Sequence, residues 1–132
     1  MATATSSTQA FPPLTADGLR RVIPVLNADL AAVHASTAPD SVKERTRQLV
    51  EIMKATFTAV ADNDADSAGD WVAMMADPFQ ELTDNLRSAL ALPAAGIGRC
   101  MYTNSAGNFC IQCTQTQCQA LGGAFQANTP CP

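Results

Sequence analysis

At 132 residues the chain has room for one ordinary domain, or for one small domain with an appendage. Its formal net charge is −4 and its lysines and arginines are scattered rather than striped, which makes nucleic acid and anionic membrane poor partners. No run of about 18 apolar residues occurs, so no membrane insertion is expected. The first segment, residues 1–14, is rich in Thr, Ser and Ala and reads as a flexible tail whose Phe11-Pro12-Pro13-Leu14 end docks on the rest. Its opening residues lack a basic stretch followed by a continuous apolar one, so they do not read as a secretory signal.

Residues 15–92 read as a helical bundle. Leu19, Val22, Ile23, Leu26, Leu30 and Val33 recur at helical spacing, with Pro24 expected to kink or restart the helix. The next helix carries the strongest pattern, with Val42, Thr46, Leu49, Met53, Phe57 and Val60 on one stripe. Its start is signalled by Thr37-Ala38-Pro39-Asp40 and, alternatively, by a capping box from Ser41 to Glu44. A third periodic run holds Val72, Met75, Phe79, Leu82, Leu86 and Leu90. The Asp77-Pro78 pair inside it predicts a split into roughly 66–76 and 78–91. None of these stripes can be buried alone, so they predict an antiparallel bundle of three to four helices, or stripes shared within an oligomer. Residues 93–99, with Pro93 and Ala94-Ala95-Gly96-Ile97-Gly98, read as a linker.

At Cys100 the composition changes abruptly. All 20 charged residues precede it, and all five cysteines lie from it onward. Residues 100–132 therefore form a cysteine-rich mini-module, and a chain shorter than ~40 residues needs disulfides, metal or a partner to fold. Cys100–Cys110 reads as a hairpin turning at Asn104-Ser105-Ala106-Gly107. Thr114 or Thr116 can cap a short helix carrying Cys118 and Leu121, which Gly122-Gly123 ends; Ala124-Phe125-Gln126 follows as a third strand. The expected fold is thus mainly α, a bundle followed by a ββαβ-like stapled module.

Elsewhere the chemistry is sparse. Asp62-Asn63-Asp64-Ala65-Asp66 begins like a calcium loop, but Ser67 stands where the turn wants Gly and Ala73 where a bidentate Glu is required. It reads instead as an acidic loop in which Asp64, Asp66 or Ser67 caps the following helix. His34 is the only histidine, and no catalytic triad, paired-carboxylate or phosphate-loop pattern accompanies it. No catalytic residue and no cofactor are assigned.

The cysteine spacing C-x9-C-x2-C-x4-C-x12-C leaves three readings open. In the first, Cys118 pairs with Cys131 and Cys100 with Cys110 or Cys113, leaving one odd thiol for an intermolecular disulfide. In the second, Cys110-x2-Cys113 is a zinc knuckle completed by Cys118 and Cys100. In the third, the charged, thiol-free residues 1–98 are the leader of a processed peptide whose Cys/Thr-rich core spans about 99–132. The string Cys110-x2-Cys113-Thr-Gln-Thr-Gln-Cys118-Gln-Ala-Leu-Gly-Gly-Ala-Phe125, with the later Cys131, resembles small cysteine-rich modules of bacterial exported proteins. Their leading Cys-Cys pair is absent, the first loop is longer, and Cys113 is extra. The resemblance implies a disulfide-stapled unit and transfers no catalytic or binding residue. The cysteine density itself, despite the missing secretory signal, implies eventual exposure to an oxidising environment. The expectation that follows is a non-enzymatic structural, assembly or binding protein that meets a protein partner or a second copy of itself.

Overall fold

The computed structural model describes residues 11–132. The flexible-tail reading of residues 1–10 lies outside them. Five α-helices precede or interleave with one antiparallel sheet among the described residues: α1 (Ala16–Ala35), α2 (Asp40–Asn63), α3 (Ala68–Met74), α4 (Ala76–Leu90), β1 (Ile97–Asn104), β2 (Gly107–Thr114), α5 (Gln115–Leu121) and β3 (Ala124–Ala127). A bundle of α1–α4 followed by a ββαβ unit is the expected architecture.

α1 starts at Thr15, whose hydroxyl accepts from the Gly18 N–H at 3.2 Å. It runs unbroken through Pro24, so the expected restart does not occur; Leu19, Val22, Leu26 and Val33 still face inward. α2 buries Thr46, Leu49, Met53, Phe57 and Val60 of the predicted stripe, and Val42 only partly. Thr46 tolerates complete burial because its hydroxyl donates to the Val42 carbonyl at 2.8 Å. Phe57 of α2 stacks on Phe79 of α4, ring centroids 5.9 Å apart, at the centre of the bundle. α4 begins at Ala76, slightly before the predicted boundary, and leaves Asp77-Pro78 within its first turn. Among the described residues no side chain caps α2, α3 or α4. In the acidic loop, Asp64 instead accepts from the Ser67 hydroxyl and the Trp71 indole N–H.

The sheet order is β2-β1-β3, with β1 in the centre. β1 and β2 pair from Ile97 opposite Thr114 to Asn104 opposite Gly107, around the predicted turn. Residues 97–99, read from sequence as linker, are therefore strand: Gly98 faces Cys113 on one side and Ala127 on the other. The Phe11–Leu14 end does dock. Pro12 accepts from the Thr103 N–H, Thr103 Oγ1 bonds the Phe11 carbonyl, and Leu14 is buried.

The sheet is not a separate layer hung on the bundle. α5 packs on α1, β2 on α4, and β1 on α3. Cys100, Tyr102, Ile111, Cys113, Cys118 and Leu121 belong to the same buried cluster as Leu19, Met53, Phe57 and Phe79. The closest approach is at Gly18, where a Cβ would lie 2.3 Å from the Leu121 carbonyl oxygen. Only glycine lets α1 and the C-terminal end of α5 meet this tightly.

Candidate functional site: the stapled end and the groove beside it

Strand alternation divides the cysteines. Cys100 and Tyr102 of β1 point inward with Ile111 and Cys113 of β2, while Met101 and its register partner Cys110 lie on the outer face. α5 lies against the inner face. Its start is fixed by a reciprocal capping box: the Gln117 N–H donates to Thr114 Oγ1 and the Thr114 N–H to Gln117 Oε1, both at 3.1 Å. That box sets the rotation of the helix and aims Cys118 at the centre of β1.

The disulfides are Cys100–Cys118 and Cys110–Cys131, with Cα–Cα distances of 5.6 and 5.8 Å. The Cys118–Cys131 pairing expected from sequence is not formed, nor is a bond from Cys100 to Cys110 or Cys113. The reason is local. α5 ends at Gly122 in the left-handed region, φ +92°, and the chain turns at once to lay β3 beside β1. This brings Gly123 under the inner disulfide, where a Cβ would lie 2.4 Å from Cys100 Sγ. The final residues then cross to the outer face, away from Cys118. Gln112 guides them: its Nε2–H donates to the Thr129 carbonyl and its Oε1 accepts from the Cys131 N–H at 3.2 Å. Cys131 is thereby delivered to Cys110.

Cys113 is the free cysteine and is buried. Burial pushes its thiol well above the usual range, against the smaller opposing effect of a hydrogen bond from the Cys118 backbone. It is therefore a poor nucleophile and is closed off from the intermolecular disulfide expected of the odd cysteine. The sulfurs of Cys100, Cys113 and Cys118 lie within 4.8 Å of one another, which unites three of the four residues named as alternative zinc ligands. Two of those three are joined in a disulfide, and the fourth, Cys110, is bonded to Cys131 on the other face. A disulfide offers no thiolate, so the four-thiolate knuckle is not assembled. Nearby, the Tyr102 hydroxyl is buried without a hydrogen-bond partner among the described residues, and burial together with the Asp70 carboxylate raises its pKa.

Two concave surfaces flank this unit. On the outer face of the sheet, Met101, Asn108, Phe109, Cys110, Cys131 and Pro132 enclose a shallow groove of about 320 Å³. Where the stapled unit meets the bundle, a larger groove of about 490 Å³ runs between α1, α4 and the start of α5. At this second groove Asp29 of α1 accepts a 2.8 Å hydrogen bond from Gln117 Nε2. Burial pushes the Asp29 carboxyl up to about 6, and the Gln117 bond offsets only part of that. Sequence reading passed over Asp29. Its one available signal was Gln117, a residue whose carbonyl is engaged in the capping box and whose amide N–H must then find an acceptor.

No protein-family model, no curated protein and no solved structure matches this chain. No helix among the described residues is long and apolar enough to cross a membrane.

Proposed function

We propose that the protein is a non-enzymatic binding or assembly protein and that its stapled C-terminal end carries the interaction surface. The observation that carries this reading is the outer face of the sheet. Met101, Thr103, Asn108 and Gln112 on that face bear no charge, and Arg99 at its base is turned to the Gln126 side-chain carbonyl. A partner covering this face desolvates amides, hydroxyls and a thioether rather than bare charges, which are costly to bury unpaired. The Cys110–Cys131 disulfide and the Gln112 bonds hold the surface in one shape, so little ordering entropy is lost on binding. The non-enzymatic half is supported by the free thiol, which burial keeps protonated.

Two experiments test it. The intact mass of the protein from its native source should show the loss of four hydrogens, two for each disulfide. A cut near Gly98, or the loss of water from the Thr residues, would instead support the processed-peptide reading. That reading requires cleavage inside β1, between two paired strands. For the surface itself, a photocrosslinker placed at Asn108 should give one discrete adduct in the native host, a partner protein or a second copy. Met101→Arg should abolish the adduct. The same crosslinker at Lys43 giving an equal yield of the same adduct would refute the assignment of this face.

A further inference from the structure

The larger groove has a composition that selects its occupant. Val25 on α1, Leu86 and Leu90 on α4, and Leu92 beyond its end supply apolar walls; among the described residues Asp29 is the only charged one lining it. Asp29 sits there for a structural reason. The buried Gln117 holds its Oδ2, and Gln117 is itself locked by the capping box, so the carboxylate has a fixed orientation. Oδ1 has no hydrogen-bond donor among the described residues, and no lysine or arginine among them pairs with Asp29. A half-buried carboxylate without a cation is costly to keep ionised. A ligand that brings the missing positive charge relieves that cost in the bound state alone.

We propose that this groove binds a small organic ammonium ion, its alkyl chain on Val25, Leu86, Leu90 and Leu92 and its N–H donors on Asp29. A metal ion is a poorer occupant, because hard cations need several oxygen ligands and only one carboxylate is present. The volume of about 490 Å³ falls within the range of small-molecule sites, and the apolar walls favour a chain over a bare ammonium. The site is distinct from the outer sheet face and does not depend on the protein-interaction reading.

The test is an NMR titration of the full oxidised chain at neutral pH with three probes of one length: n-hexylammonium, n-hexanol and hexanoate. The ammonium should saturate at least tenfold more tightly than the alcohol, with shifts centred on Val25, Asp29, Leu86 and Leu90, and hexanoate should bind least. Asp29→Asn should bring ammonium and alcohol within about twofold of each other. Ala28→Lys, which places a cation on the exposed groove wall beside Asp29, should weaken the ammonium by a similar factor. Asp66→Asn, remote from the groove, should change nothing. Equal affinity for the ammonium and the alcohol in the unmodified chain would overturn the proposal. So would ammonium shifts spread over the acidic surface, an absence of saturable binding, or retained preference in both groove variants.

Discussion

The bundle and the stapled end bury their interiors by different means. Residues 16–90 do it with periodic side chains: Leu19, Leu26, Leu49, Phe57, Phe79 and Leu82 are large, fully enclosed, and each stabilises by roughly 1.5–3 kcal/mol on burial. Residues 97–131 have fewer large side chains and use close backbone approach, a capping box and two cross-links instead. Closing loops of 18 and 21 residues lowers the entropy of the unfolded chain by an amount that corresponds to about 3 kcal/mol for each disulfide. Yet both regions feed one core, and Gly18, Asp29 and Arg21 of α1 all engage α5 or its end. The abrupt change in charge at Cys100 marks a change in stabilising strategy and not a boundary in the packing.

The largest effects should come from core truncations on either side of the seam. Phe57→Ala in the bundle and Leu121→Ala in the stapled end should each cost about 2–5 kcal/mol. If the core is shared, urea unfolding followed by circular dichroism should shift as one transition for both. Two separated transitions in Leu121→Ala would split the molecule into independent parts.

Next come the disulfides. Replacing Cys100 and Cys118 together by Ala should cost about 3–5 kcal/mol, because it removes a cross-link and opens a gap above Gly123. Replacing Cys110 and Cys131 should cost about 3 kcal/mol, the cross-link alone, since that bond lies on the partly exposed outer face and leaves no enclosed gap. The comparison is sharpened if the inner pair also lowers the stability of α1, read from hydrogen exchange, and the outer pair does not.

Gly18→Ala probes the contact between the regions alone. The added methyl would meet the Leu121 carbonyl, so a loss of about 1–3 kcal/mol is expected, although Ala is the better helix former. A stabilised variant would show that the two regions yield readily at this contact.

Asp29 gives the smallest effect, and its pH signature falls near neutrality. Its carboxyl titrates near 6 in the fold, against about 3.8 when unfolded, so the folded state holds its proton more tightly. This contribution is fully present below about pH 4 and is lost as pH rises through 6. Stability should therefore fall by about 1–2 kcal/mol across that window, and Asp29→Asn should remove this component of the slope while raising stability at pH 7. An unchanged slope in Asp29→Asn, measured by denaturant titration at several pH values, would mean that Asp29 is well solvated.

Much of the fold was legible because it rests on local rules. The stripe from Thr46 to Val60 has helical period, Asn104–Gly107 is turn chemistry, and Thr114 with Gln117 is a cap. The disulfide partners were not legible, because Cys118 and Cys131 are close in sequence but are sent to opposite faces of a three-stranded sheet by the Gly122-Gly123 reversal. That outcome depends on which side of β1 receives β3, which no short-range signal specifies. The groove was invisible for the same reason. Asp29 looks like any acid on an exposed helix turn until the docking of α5 covers it. Residues 97–99 read as linker because Gly98 and the preceding alanines mimic a hinge, whereas Gly98 stands between two paired strands.

The central claim, that one cooperative core spans the change in composition, is tested most directly by native-state hydrogen exchange of the oxidised chain in increasing denaturant. The most protected amides of α1, α2 and β1 should converge on a single opening free energy and lose protection at the same denaturant concentration. Loss of protection across β1, β2 and α5 at a lower concentration, with α1 and α2 still protected, would contradict the claim and make the stapled end a separate unit.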